Sequence, residues 1–395
     1  MNQSSRSAFA HPYLLTEEQS AFQDQVRRFC LGRIIPAAAE IDENDRFPTE
    51  IFKEMASLGF LGAPYPENYG GTGLDAVSVC LLLEEISRAS GSIGSSLNAH
   101  ISLSSSVIFH NASEAQKQKY LTQMTSGRKL GAFGLTEPSG GSNAAACRTR
   151  AVLRDGKWRI SGSKSFNTNG AVADIFVIIA RTREGSEGGD GLSTFIVERG
   201  APGFEIGRSD RKMGMHGSPT STLYFDEAEV PEENLIGTLH QGFRQFVATL
   251  DRGRINVAAL SVGLGQAALD VVVPYVQERQ QFGRPIAAFQ GVQWPISDMV
   301  TEIEAARLLM LNAARLYDAG QNVKKQAAMA KFYAAEASIR AANNAIELFG
   351  GYGYLRDYPI ERIFRDAKMY QIGEGTSQIQ RMVIAREILG RYDFV

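Results

Sequence analysis

The sequence is short of the residues that would commit it to a simple class. It has three cysteines, Cys30, Cys80 and Cys147, far apart and with no CxxC pair. That excludes a disulfide framework and fits a reducing compartment. The five histidines, His11, His100, His110, His216 and His240, fall at no metal-ligand spacing, so no metal site is expected. No run of about 18 apolar residues occurs, so no membrane span is expected. The opening MNQSSRSAFAHPY lacks the apolar centre of a signal peptide and carries one arginine, too few for a transit peptide. Charge of one sign is also missing: 41 Lys+Arg against 43 Asp+Glu leave a formal net charge of −2. Nothing marks a nucleic-acid binder or a polybasic membrane binder. The expectation is a soluble cytoplasmic protein.

The chain that remains is globular in composition and long enough, at 395 residues, for two or three domains of roughly 150 residues each. Its texture changes twice. Residues 14–130 read helical, with Phe22, Val26, Phe29 and Ile34 at helical spacing behind a capping Thr16. Residues 131–240 hold short alternating or β-rich runs (KWRISGSKSF, IFVIIART, LSTFIVER, STLYFDEAEV) separated by turn clusters such as REGSEGGDG. Residues 241–395 return to long amphipathic helical patterns, enough for a four-helix bundle. Pro274 reads as a kink and Pro295 as a helix start. The expected fold is multidomain α+β: a helical N-terminal domain, a central antiparallel, barrel-like β domain and a C-terminal helical bundle.

One stretch, QIGEGTSQIQ (371–380), sets a single acid, Glu374, between Gly373 and Gly375. On its own it has two readings. Glu374 and Thr376 could complement the free N–H groups of a helix start, or Glu374 could be a catalytic carboxylate.

Three separated segments bear on that choice: GAFGLTEPSGGSNAAACRTRA (131–151), VQERQQFGRPIAAFQGVQ (276–293) and IELFGGYGYLRDYPIERIFRDAKMYQIGEGTSQIQRMVIAREIL (346–389). In this order, and with LTEEQ, PENYGGTGL, KSFNTNGAVADIFVIIA, KMGMHGSPTSTLYFDEAEVPEENLIG and LDRGRI, they resemble the acyl-CoA dehydrogenase family over nearly the whole chain. The resemblance implies an FAD enzyme that makes a trans-2-enoyl thioester from an acyl thioester. A carboxylate removes the α-proton while the β-hydride goes to the flavin. Glu374 matches the family's base. The alternative position for that base, on an earlier helix, is here Gly253, which has no side chain to act. The Glu374 N–H is implied as one donor to the thioester oxygen. A helix start would favour the carboxylate and desolvation would oppose it.

The resemblance also implies the cofactor contacts. Phe133, Leu135 and Thr136 line the flavin ring, Ser142 meets the pyrophosphate, and Phe166 and Thr168 stand beside the ring. An isolated phenylalanine in a strand is otherwise a core residue. Arg279 pairs with the pyrophosphate of a neighbouring subunit's FAD, a task suited to its planar fork, and Phe282 packs near the adenosine. Gly350 and Gly351 let the backbone approach the cofactor, and Thr376 and Gln378 contact its phosphate and adenine end. Ser142, Gly373 and Gly375 are placed at the substrate. The implied assembly is a homotetramer, and the implied electron acceptor is an electron-transfer flavoprotein.

Four positions depart from the family pattern. Asn143 stands for an aspartate, Asn167 for an isoleucine, Glu347 for a glutamine, and Gly373 for a bulky aromatic. A buried amide at 167 needs partners, and a carboxylate at 347 would repel a phosphate unless paired. Gly373 would leave space beside the reacting carbons. Together Asn167 and Gly373 suggest a substrate that is branched, cyclic or polar near Cα–Cβ, or one carried on a protein-bound phosphopantetheine arm. The alternatives are a dehydrogenase of acyl or aminoacyl groups on a carrier protein, an oxidase that returns electrons to oxygen, and a flavin-free homologue.

Overall fold

The structure is a computed structural model that describes residues 15–390. Residues 1–14, which include His11 and the first residue of the 14–130 segment, and residues 391–395 lie outside the described residues.

The N-terminal helices begin where the cap signal places them. Thr16 Oγ1 accepts from Gln19 N and Gln19 Oε1 accepts from Thr16 N, both at 3.1 Å, a reciprocal capping box that starts α1 (Glu17–Phe29). There follow α2 (Ile35–Glu43), α3 (Thr49–Ser57), α4 (Ala76–Ala89), α5 (Gly91–Asn98), α6 (Ser105–Asn111), α7 (Glu114–Gln116) and α8 (Thr122–Thr125). Between α5 and α6 the chain forms a π-helical segment, Ala99–Ser104, buried throughout. Such wide turns re-aim side chains and recur at functional sites.

The central domain is one eight-stranded sheet: β1 (Gly131–Gly134), β2 (Arg150–Arg154), β3 (Lys157–Thr168), β4 (Ile175–Arg181), β5 (Leu192–Glu198), β6 (Phe204–Ser209), β7 (Thr220–Pro231) and β8 (Leu235–Ile236). The order is β6-β7-β3-β2-β4-β5-β8, with β1 paired to β4. Most pairs are antiparallel, as the hairpin-rich texture predicts. β1 differs: it runs parallel to β4, Gly131 opposite Ile175, and β2 meets β4 in one parallel pair, Arg150 with Arg181. The sheet is therefore mixed. A parallel pair needs a crossover rather than a tight turn, and here the loop after β1 and the β2–β3 hairpin supply it.

The C-terminal domain holds α9 (Gly242–Glu278), a two-residue β9–β10 hairpin (Gln280–Gln281, Arg284–Pro285), α10 (Gln290–Asp318), α11 (Lys324–Phe349), α12 (Ile360–Tyr370) and α13 (Ser377–Leu389). Pro274 lies inside α9, and Pro295 lies past the first turn of α10 rather than at its start. α9 is long and apolar enough to cross a membrane, but 78% of its apolar window is buried within the fold, against α4 and α11. One continuous core joins Ile86 and Leu83 of α4, Leu260 and Val262 of α9 and the alanine face of α11. Two smaller cores lie on the sheet. The helical ends of the chain thus form one body, and the sheet docks on it through β1, which packs against the Ala99–Ser104 segment after α5.

Candidate active site

Glu374 sits in the turn between α12 and α13, with φ 51, a left-handed conformation that costs a non-glycine residue of order 1 kcal/mol. Several contacts hold the turn. Ser377 N donates to Gln371 O at 3.0 Å. Gly375 O accepts from Lys331 Nζ at 2.6 Å and from Gln380 Nε2 at 2.9 Å. Gly375 has φ 91, and a Cβ there would lie 2.7 Å from Gln380 Nε2, so only glycine fits. Thr376 caps α13 by accepting from Ile379 N. The cap reading is therefore right for Thr376, while Glu374 lies before the cap and outside the helix.

The residue is half-buried, but its carboxylate is enclosed. Oε1 accepts from Asn98 Nδ2 at 2.8 Å, and Oε2 is closed to solvent with no partner. A methyl on Gly253 would lie 2.9 Å from Oε2; the bare backbone of α9 makes the room the carboxylate occupies. Burial pushes the Glu374 carboxyl up to about 7, against the opposing pull of the Lys331 ammonium, the Asn98 hydrogen bond and the Arg254 guanidinium. Of the two effects weighed from sequence, desolvation wins, because the helix terminus is not where the carboxylate sits. A carboxyl poised near neutrality suits proton abstraction. The Glu374 N–H donates to no acceptor among the described residues.

Short links tie this turn to the sheet. Asn98 closes α5, and Asn169 Nδ2, just past β3, donates to Ser96 O at 2.9 Å and to Gly131 O at 3.3 Å. His100 Nδ1 accepts from Gly131 N at 3.0 Å and its Nε2 meets Met124 O at 3.1 Å. Those partners fix a neutral tautomer, and burial lowers the imidazole to about 4. The start of β1 is thereby pinned to the helix that reaches the base.

β1 and β3 bring together the residues expected at a flavin ring. Phe133 stacks on Phe246 with centroids 4.4 Å apart. Thr136 O accepts from Ser165 N at 2.8 Å, which joins the 133–136 segment to β3. There Ser165 and Phe166 form a bulge between Lys164 and Asn167. The bulge holds Phe166 at φ 58 and 72% exposed. Phe166 is no core residue: the strained backbone holds its ring out of the sheet, where it is free to pack against a ligand. Thr168 follows it, half-buried. Ser142 and Asn143 are exposed, in a loop whose Gly141 lies against Thr136. Under this segment Lys164 Nζ pairs with Glu137 Oε1 at 2.8 Å, both buried. Burial alone would raise the Glu137 carboxyl. The Lys164 charge and the hydrogen bonds from Thr149 and Arg148 N bring it instead to about 2. This buried pair fixes the backbone on either side of Thr136.

The second group lies elsewhere. Arg279, Gly350 and Gly351 line an open cleft of about 430 Å³ with Tyr275, Tyr352 and Glu347. The Arg279 guanidinium lies 5.4 Å from the Tyr352 ring centroid and has no ion pair among the described residues. Gly350, at φ 61 and ψ −139, adopts a backbone open only to glycine, and with Gly351 it leaves bare backbone in one part of the wall. A free cation facing a bare backbone fits a phosphate-bearing group. Phe282 caps the β9–β10 turn at φ 53 and 91% exposed, with its edge toward Phe289. Gly253 and Glu278 stand ~25 residues apart on α9, roughly 37 Å along the axis. A single chain therefore does not unite the Arg279 cleft with the Glu374 turn.

Two departures from the family pattern have local explanations. Asn167 does not present its amide to a ligand. Its Nδ2 donates to Lys164 O and Ser221 O, both at 2.8 Å, and so closes the β3 bulge, while Oδ1 is buried without a partner beside Gly134. Nor does Gly373 leave an empty space: a Cβ there would meet Met369 Cε at 2.8 Å and Sδ at 2.9 Å, so the thioether fills it. Glu347 faces the Arg279 cleft with Oε1 held by Asn343 at 2.9 Å. Gln378 is exposed on the first turn of α13. Sequence reasoning missed Asn98, which has no motif around it. It also missed Lys331, whose signal was a lone lysine on the alanine face of AAMAKFYAAEAS.

The chain resembles known proteins along nearly its whole length. The chain matches the acyl-CoA dehydrogenase N-terminal domain over residues 16–128, the middle domain over 132–228 and the C-terminal domain over 240–389. It is 46% identical to an acyl-CoA dehydrogenase of Bacillus subtilis (strain 168), covering 95% of this chain and 99% of that one. It is 45% identical to a short-chain-specific acyl-CoA dehydrogenase of Clostridium acetobutylicum, covering 95% and 98%. A chain solved in work on the electron transferring flavoprotein of Acidaminococcus fermentans superposes with a TM-score of 0.93 at 44% identity, covering 95% and 99%. The protein belongs to the acyl-CoA dehydrogenase family of FAD-dependent oxidoreductases.

Proposed function

We propose that the protein dehydrogenates a short acyl-CoA across Cα–Cβ, with Glu374 as the base. The observation that carries this reading is the enclosed carboxylate. Asn98 holds Oε1, while Oε2 has no partner and faces Gly253, where no side chain competes for it. Oε2 takes the α-proton that the bound thioester turns toward it. The free Glu374 N–H meets the thioester oxygen and stabilises the charge that develops there. Bound FAD supplies the hydride acceptor. Phe133, Leu135, Thr136, Phe166 and Thr168 would hold its ring, with Ser142 beside them.

Met369 beside Gly373 supports a short acyl group, since the room expected for a branched or cyclic one is filled. The short-chain-specific relative in Clostridium acetobutylicum points the same way. The separation of Arg279 from Glu374 supports an assembly in which Arg279, Phe282, Gly350 and Gly351 serve the FAD of a second copy, with a tetramer as the family's usual form. The Acidaminococcus fermentans neighbour supports an electron-transfer flavoprotein as acceptor. A cytoplasmic location remains our reading, supported by the burial of α9 within the fold.

The test is anaerobic bleaching of the flavin by a panel of acyl-CoA and carrier-protein thioesters, with Glu374→Gln beside the wild type. Short acyl-CoA should bleach the wild type fastest. Glu374→Gln should keep its FAD and slow bleaching by about 10²–10⁴. A variant that bleaches at the wild-type rate removes Glu374 as the base, and a clean preference for carrier-protein or bulky branched thioesters refutes the substrate.

A further inference from the structure

The group nearest the base that the reaction as described leaves unused is Lys331. It stands on α11 with 0% exposure, among Ala327, Ala328, Ala330, Ala334 and Ala335, all buried. A buried ammonium is costly unless it is paired. Its hydrogen bond, at 2.6 Å, goes to Gly375 O, the carbonyl next to the base. Of the acids whose charge it feels, Glu374 counts most, ahead of Glu336. Glu336, one turn further along α11, accepts from Ser377 Oγ at 2.6 Å. α11 therefore grips the base turn at two points, and the first of them is charged.

We propose that Lys331 is a positioning residue for Glu374: its buried ammonium locks the left-handed Glu374–Gly375 turn and sets the field in which the carboxylate gives up and takes protons. The inference rests on Glu374 being the base. Two features support a role beyond packing. Among the groups facing the carboxylate, Lys331 is the cation not already committed to an acid: Arg254, on α9, gives its Nη1 to Asp251 at 2.6 Å. The remaining neighbours, Asn98 on α5 and Tyr370 on α12, carry no charge at neutral pH. The turn it holds is also left-handed at two consecutive residues, φ 51 at Glu374 and φ 91 at Gly375; the glycine adopts this freely, but Glu374 is strained, and a strained residue persists only where its surroundings over-determine it. Burial lowers the ammonium to about 8, against the pull of Glu374, so near pH 7, where the carboxyl at about 7 is giving up its proton, it is mostly charged.

The charge and the hydrogen bond can be separated. Lys331→Met removes both, Lys331→Gln keeps a donor without charge, and Lys331→Arg keeps the charge. The readout is the pH profile of single-turnover flavin reduction by butyryl-CoA, at matched FAD content. Without the cation the base holds its proton more tightly. In both neutral variants the rising limb should move about one unit toward alkaline pH, with reduction at pH 7 roughly fivefold slower and restored above pH 9. Lys331→Arg should keep the wild-type limb. A limb that does not move in the neutral variants, a rate lost equally at every pH, or failure of both neutral variants to hold FAD would each overturn the proposal and leave Lys331 a packing residue. Glu374→Gln in the same series keeps the two readings apart. If it reduces flavin normally, the assignment of the base fails. If it is inactive and the limb is unmoved, only the role of Lys331 fails.

Discussion

Replacing Gly253 by alanine tests the geometry of the base without touching the base. The added methyl would stand 2.9 Å from Glu374 Oε2 and 3.6 Å from Leu103 Cδ2. The second contact is ordinary; the first is closer than non-bonded atoms come, and the neighbour able to yield is the end of a side chain. Restoring contact distance moves the carboxylate by about half an ångström, away from α9, and strains its 2.8 Å bond to Asn98. Misplacing a reacting group by ~1 Å costs about 10²-fold in rate, so flavin reduction should slow by about 10- to 100-fold, or ~1.4–2.7 kcal/mol in the barrier. Stability should move the other way. Gly253 lies inside α9, where alanine is favoured over glycine by about 1 kcal/mol, so the melting temperature should hold or rise. The assay is stopped-flow flavin reduction at matched FAD content, alongside thermal melting. A variant that reduces its flavin at the wild-type rate would show that the carboxylate does not work from this pose. A slower variant that has also lost FAD or stability would show that the geometric argument is wrong.

The base and the Arg279 cleft each give a further outcome. Burial raises the Glu374 carboxyl to about 7, and only the unprotonated form can accept the α-proton. The second-order rate of reduction should therefore climb as pH rises through 7, with half the maximal value near there; a flat profile between about pH 5.5 and 8.5 would contradict this. Arg279→Ala should lower the flavin-to-protein absorbance ratio after gel filtration and weaken self-association, whereas unchanged flavin content would remove Arg279 from the cofactor site.

Much of this was legible in the sequence, because the signals involved are local. The switch from helical to alternating periodicity near residue 131 and back near 241 follows from side chains i, i+3 and i+4 sharing a helix face, while i and i+2 share a strand face. The base turn stood out because glycine is demanded at 375 by a positive φ, but that stretch alone left a helix cap and a base as rival readings, and the family resemblance decided between them. What escaped depends on partners distant in the chain. Asn98 meets Glu374 across 276 residues, and nothing in GSSLNAHI announces it. Asn167 reads as a polar residue in need of a ligand because its backbone partners, one of them 54 residues away, are created by the bulge itself. The parallel pairing of β1 escaped for the same reason: strand texture reports burial and alternation, not the direction of the neighbour. Gly373 was misread as space because Met369, four residues back, fills it.

The positions of the two half-sites along α9 bear on assembly. One stretch of this helix, at Gly253 and Arg254, forms the wall behind the base, and its C-terminal end presents Arg279. Both belong to a continuous helix of 37 residues, so no loop motion can bring one end to the other. If the proposed function holds, the pyrophosphate beside Arg279 belongs to an FAD whose ring lies against another copy's Phe133, Thr136 and Phe166. The exposed Phe282 at the hairpin tip and the exposed Phe166 at the bulge then have a common explanation. Each is an aromatic face completed by a cofactor shared between chains, and each is held out at a positive φ. Loss of FAD and loss of the assembly should on this view occur together, with dissociating conditions releasing flavin from the wild type and removal of flavin loosening the oligomer. An apoprotein that keeps its assembly intact and a monomer that keeps its flavin would each break the link.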